Sequence, residues 1–169
     1  MDRLTQATTD GYVTVAFGLR LRTPMLGRSY LGLDCTPKEV AAEGRTAGNA
    51  MGQSYGLLNN RAACATWKRI WDSEFRFDIK PVALVHDAIY ALVRNDPKVV
   101  EFFNNVLTEE MAWQELPELQ HDTVKIHGNL DLFYPSWATP VTLPVGADIP
   151  TIKAVCAKHM ADIREKEAA

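Results

Sequence analysis

The chain has 169 residues, 47% of them hydrophobic and 23% charged, which suits one ordinary domain with a real core and argues against overall disorder. The net charge of −3 argues against a simple nucleic-acid coat protein, but it is unevenly spread: residues 1–80 hold 11 Lys+Arg and 8 Asp+Glu, and residues 81–169 hold 7 and 13. No apolar signal region opens the sequence, no apolar run approaches the ~20 residues that span a bilayer, and Cys35, Cys64 and Cys156 show no CxxC spacing.

These properties lead us to expect a cytoplasmic protein with buried, reduced cysteines and neither a zinc site nor a disulfide framework. The basic front can face phosphates, whereas the acidic back cannot.

In chain order, polar residues 3–9 read as the end of a helix. Gly11 to Arg22 holds two β-prone runs, 12–17 and 19–22, flanking Gly18, a hairpin signal. In the second run Leu19 and Leu21 face one way and Arg20 and Arg22 the other. Pro24 to Pro37 is turn-rich and reads as a loop. Thr36 can cap a helix that begins at Pro37 with Glu39 in its first turn. A long helical stretch follows to about Trp71, either as one helix or as two with a break. Gly44, Gly48, Gly52 and Gly56 recur in it every four residues, each costing roughly 1 kcal/mol relative to Ala. Such a stripe calls for a close approach, by a neighbouring element or by a ligand.

Phe75 to Ile79 reads as a short strand. Residues 81–93, PVALVHDAIYALV, form two apolar β-prone runs around His86-Asp87. Asp96 and Pro97 open the next helix, whose apolar face is Val99, Phe102, Phe103, Val106 and Leu107. A strand is expected at 123–127 and an ordered loop over 128–150. The tail, 150–166, reads as a helix with the stripe Ile152, Val155, Cys156, Met160 and Ile163, which packs on the body or on a partner. Nothing marks an internal linker, so one compact unit with a helical tail is expected.

Two features carry chemistry. The first is Val85-His86-Asp87, a carboxylate at the tip between two hydrophobic runs. Burying it unpaired is very unfavourable, so Asp87 must meet solvent, a cation or a donor. A tight turn explains an Asp, but two-residue hairpins normally take Asn-Gly or Asp-Gly, and His-Asp followed by Ala88 is poor turn chemistry. A residue choice that breaks a local rule points toward function. The second feature is Arg45, Asn49 and Gln53, spaced by four and therefore on one helical stripe. All three can donate hydrogen bonds and none is acidic. They read either as a solvated face or as a row suited to the acceptors of the DNA minor groove.

These features, in this order, resemble family A (polymerase-I-like) DNA polymerases. LVHDA, residues 84–88, is similar to that family's motif C, usually QVHDE, and RTAGNAMGQ, residues 45–53, resembles the preceding R-x-x-x-N-x-x-x-Q helix. Upstream, DGYVTVAFGLRLRTP resembles the hairpin that follows the fingers. Downstream, Pro135-Ser136-Trp137 resembles the closing segment. The resemblance covers about residues 3–137. It implies that Asp87 is a ligand of the two catalytic Mg²⁺ ions, which favour carboxylates and substrate phosphates. It also implies that His86 lies near the primer terminus and that Arg45, Asn49 and Gln53 contact the duplex minor groove.

Two departures accompany it: Ala88 stands where the family has a glutamate, and Leu84 where it has a glutamine. Nothing resembles motif A, with its second metal-binding aspartate, or the fingers, thumb and exonuclease segments. The chain opens with Met1 and runs past the family's usual end, so the resemblance implies the small part of a split, phage-type polymerase, inactive without a larger partner chain; a truncated or artificially split chain is the other origin. The implied architecture is α+β, the motif C part of a palm with an antiparallel sheet and flanking helices over 1–137, followed by a loop and amphipathic helix over 138–169. The implied activity is Mg²⁺-dependent DNA-directed DNA synthesis on primer-template with deoxynucleoside triphosphates. A non-catalytic DNA-binding or scaffolding subunit is the alternative. An HD-type metal phosphohydrolase is a further one, because His-Asp recurs at His121-Asp122, which reads more simply as a solvated turn.

Overall fold

The computed structural model describes residues 3–30 and 37–168, as a mixed α+β chain of helices and short two-stranded antiparallel sheets. It divides into two compact units, residues 1–58 and 59–169. The expected single unit is therefore two, separated where the long helical stretch breaks. The expected cap Thr36, and Cys35, lie outside the described residues.

The first unit holds α1 (Arg3–Asp10), β1 (Tyr12–Thr14), β2 (Arg20–Arg22), α2 (Pro24–Tyr30) and α3 (Pro37–Ser54). The expected hairpin forms with shorter strands than the runs 12–17 and 19–22: Val13 lies opposite Leu21, while Leu19 falls outside β2 and is exposed. Its connection carries two residues of positive φ, Phe17 at 59° and Gly18 at 70°. Glycine enters that region freely, whereas an aromatic residue does so against steric resistance. Ala7, Val13, Val15 and Ala47 form the small core, with Leu21, Leu26 and Met51 against it. Side chains stitch the elements together: the Thr23 hydroxyl donates to the Ala7 carbonyl at 2.9 Å, and the Ala16 N–H donates to Ser54 Oγ at 3.1 Å. Of the loop expected over 24–37, residues 31–36 lie outside the described residues, and residues 24–30 form the helix α2 instead. Pro24 stands at its start, where a missing N–H costs nothing. At Gly27 this helix packs on α1, where an added Cβ would meet the Thr8 carbonyl oxygen at 3.4 Å, an ordinary contact.

The second unit holds α4 (Leu57–Trp71, begun just before the boundary), β3 (Ile79–Val85), β4 (Ala88–Val93), α5 (Pro97–Met111), β5 (Leu130–Phe133), β6 (Pro140–Leu143) and α6 (Ile149–Ala168). Ile70, Ile79, Val99, Phe103, Leu107, Leu130, Leu143 and Ile152 form its core. The expected face of α5 is the buried one, with Phe102 partly buried and Phe75 beside it at 5.0 Å between ring centroids. Asp96 caps α5, accepting the Lys98 N–H at 3.0 Å. Asn104 Nδ2 donates to the Pro144 carbonyl at 2.9 Å, tying α5 to the end of β6.

Three expectations fail here. Residues 75–78 are turns, closed by the Asp78 N–H on the Phe75 carbonyl at 2.9 Å, and the strand starts only at Ile79. Residues 123–127 join no ladder; the Ile126 N–H is met by the Gln114 side chain at 3.1 Å. The loop expected over 128–150 contains the β5–β6 hairpin, paired from Leu130–Leu143 to Phe133–Pro140, and these strands join across position 137/138. The tail helix does form, and Ile152, Val155 and Cys156 pack into this unit's core. Burial pushes the Cys156 thiol pKa up, whereas Cys64, expected to be buried, is exposed.

Candidate active site

The β3–β4 hairpin positions His86 and Asp87. Val85 pairs with Ala88, so these two residues alone make the turn. His86 holds a left-handed φ of 54°, a region that His enters more readily than most residues but at a cost. The ladder is irregular between Pro81 and Ala83: Pro81 lacks an N–H, and Val82 is left out of register. Both turn side chains are exposed. Asp87 thus meets the requirement that an unpaired carboxylate stay out of the core.

Behind the tip stands Asn59, on α4. Its Nδ2 donates to the His86 carbonyl at 3.4 Å, anchoring the turn to the helix. The sequence reading missed this residue, although a signal was present. The buried positions of α4 are Asn59, Ala62, Thr66 and Ile70, so Asn59 falls on the phase of the buried face. An amide there needs a partner that the sequence does not name.

Beside the tip lies a cavity of about 460 Å³, lined by Asn59, Asp87, Tyr90, His127, Asp131 and Phe133 among others. Trp137, in the segment that resembles the polymerase closing region, stacks on Phe133 at 4.7 Å and on Tyr90 at 5.2 Å. Asp131 accepts the Thr142 hydroxyl at 2.6 Å. Ala88 is half-buried on β4.

Arg45, Asn49 and Gln53 are all exposed along α3, in the first unit, while His86 and Asp87 belong to the second. Among the glycines of that helix, only Gly44 has a packed neighbour from another element, with Leu26 Cδ2 3.9 Å from where its Cβ would be. A Cβ at Gly48 or Gly52 would meet nothing within 4 Å, and one at Gly56, at the break after α3, would lie 3.0 Å from the Gln53 carbonyl oxygen. The middle of the stripe is therefore smooth open surface.

The basic bias of residues 1–80 is partly spent on internal pairing. Arg61 bonds Glu110 at 2.8 Å and stacks its guanidinium over Trp113, and Arg69 bonds Glu109 at 2.7 Å. The bond to Glu109, and after it a second from Arg69 to Glu110 at 3.3 Å, hold the Arg69 guanidinium above its ordinary pKa. At the second His-Asp pair, His121 Nδ1 accepts the Thr123 and Val124 N–H groups at 3.2 and 3.0 Å in an exposed turn. Among the described residues, no three His, Cys, Asp or Glu side chains gather where they could hold a metal. Asp87 alone fits one corner of a Mg²⁺ site, since such ions take one or two carboxylates and fill the rest with water and substrate phosphate. No helix of the described residues is long and apolar enough to cross a membrane.

Comparison with family models, with curated proteins and with solved structures finds no match to this chain.

Proposed function

We propose that this chain is the small subunit of a two-chain, family-A-like DNA polymerase, supplying the motif C carboxylate and contacts to primer-template. The observation that carries this reading is the hairpin tip. Asp87 is presented to solvent beside His86, whose positive φ is one that glycine adopts more easily. A purely structural turn with positive φ at its first position alone gains more from glycine there.

Asp87 would hold Mg²⁺ together with a carboxylate from the partner chain, and the bound ions would supply stabilisation of the attacking and leaving oxygens of the phosphoryl transfer. Asn59 positions the turn through the His86 carbonyl, and His86 presents a ring donor beside the carboxylate. The row on α3 would donate to minor-groove acceptors, which recur at every base pair and so leave copying insensitive to sequence. Val82, Leu84 and Leu92 are exposed on the hairpin, apolar surface of the kind a second chain covers.

The non-catalytic reading draws on Ala88, which leaves the tip with one carboxylate where the family has two. The two readings separate in one experiment: primer extension by the chain co-purified with the product of a neighbouring gene. Activity lost in Asp87→Ala with duplex affinity unchanged supports the polymerase reading. Full activity in Asp87→Ala overturns it.

A further inference from the structure

The β1–β2 hairpin of the first unit presents a basic outward face. Val13 and Leu21 point into the small core, so Tyr12, Thr14, Arg20 and Arg22, which alternate with them, share the opposite side. The register sets Tyr12 opposite Arg22 and Thr14 opposite Arg20. Both arginines are exposed. Arg61, Arg69 and Arg94 each bond a carboxylate, whereas no salt bridge among the described residues reaches Arg20 or Arg22. Arg20 lies over the Tyr12 ring, 4.7 Å from its centroid. A guanidinium parked on an aromatic ring is held in place while its N–H donors stay free, which lowers the ordering cost of binding an anion. Arg20 and Arg22 are two residues apart on one strand, roughly 7 Å. Successive phosphates of one nucleic-acid strand are spaced comparably.

This face is separate from the row on α3. Ala47 and Met51 of α3 join the core on which the inner side of the hairpin packs. At about 100° per residue, Arg45, Asn49 and Gln53 lie roughly 140–180° around α3 from that packed side. The hairpin face and the α3 row therefore look out from opposite sides of the first unit, and a straight duplex lying on the row does not reach the hairpin.

We propose that the outward face of the β1–β2 hairpin binds single-stranded nucleic acid, with Arg20 and Arg22 on successive phosphates and an unstacked base against the Tyr12–Arg20 pair. Charge complementarity calls for an anion, and the two planar groups call for one that carries rings. A duplex keeps its bases stacked away from such a pair. A lipid surface needs aliphatic side chains to enter it, and this face carries none. The proposal stands apart from the polymerase reading, since it uses neither Asp87 nor the α3 row.

The test is a fluorescence-anisotropy titration of the full chain with a labelled oligothymidylate of about 12 nucleotides, between about 50 and 200 mM salt. The expected result is saturable binding with a dissociation constant of about 1–100 µM near physiological salt. Combining Arg20→Ala with Arg22→Ala flattens the slope of log affinity against log salt by about 1.4, two phosphate contacts at about 0.7 each. Both side chains are exposed, so that variant keeps its fold, as circular dichroism checks. Tyr12→Leu weakens binding by roughly fivefold or more with the salt slope unchanged. Arg45→Ala leaves the effect of the hairpin variants in place. No binding, an unchanged slope and affinity in the folded double variant, or a loss confined to Arg45→Ala overturns the proposal. Binding of anionic phospholipid vesicles through Arg20 and Arg22, with the oligonucleotide unbound, assigns the face to lipid and overturns it as well. Oligonucleotide binding through the hairpin by a chain whose complex never extends a primer supports the proposal and removes the polymerase reading. Asp87-dependent extension without hairpin-dependent binding does the reverse.

Discussion

His86 separates two reasons for a residue to occupy a turn. Left-handed backbone costs a non-glycine residue about 1–2 kcal/mol, and glycine returns roughly 0.5–1 of that through its unfolded-state entropy. His86→Gly should therefore leave the second unit as stable, or stabilise it by up to about 1 kcal/mol in denaturant melts. If the side chain serves primer positioning, the same variant loses extension activity despite its stability. Retained activity would assign His86 to the turn alone. Asp87 was legible because a charged residue between two hydrophobic runs is costly to bury. Asn59 was not, because its partners are the carbonyl of His86, distant in sequence, and a cavity that exists only once α4 meets the hairpin.

Helix ends carry the predictions at the level of elements. Asp96→Ala removes the cap of α5 and should cost about 1 kcal/mol in thermal melts. At α6, the Thr151 hydroxyl, and after it the Thr151 N–H, hold the Asp148 carboxyl below its ordinary value of 3.8. A lowered folded-state pKa gives stability that is present above the unfolded value and lost as pH falls through the folded one. The stability gap between the native chain and Asp148→Ala should hold constant above about pH 5 and narrow as pH falls through the folded-state value, as followed by helical circular dichroism. A gap that does not narrow on acidification would contradict the assignment.

The α3 row predicts that Arg45→Ala and Gln53→Ala each weaken primer-template binding by about 1 kcal/mol, roughly fivefold in Kd. Unchanged affinity in both would remove the minor-groove role. The sequence disclosed α5 because cap, proline and apolar stripe coincide there, and α6 by its apolar stripe. It concealed β5 and β6 because each is only four residues long, and Pro135 with the neighbouring aromatics masks the alternation of Leu130 and Leu132 with Asp131 and Phe133. At 123–127 an alternating pattern was present without a strand to pair with, and pairing, not pattern, makes a strand.

For the whole molecule, the break at residues 55–56 makes two units of what the sequence presents as one. The Tyr55 and Gly56 N–H groups close onto the Gly52 and Gln53 carbonyls at 3.3 and 2.9 Å, and α4 begins afresh at Leu57. The proposed duplex-contacting row lies in one unit and the proposed catalytic carboxylate in the other. The charge asymmetry proved a weaker guide, since Arg61 and Arg69 are held by glutamates of the acidic half. The measurement that bears most directly on the central claim is primer extension by the purified two-chain complex with native chain and with Asp87→Ala. The account predicts a loss of at least roughly 100-fold in rate with complex formation and duplex affinity intact; an undiminished rate would contradict it.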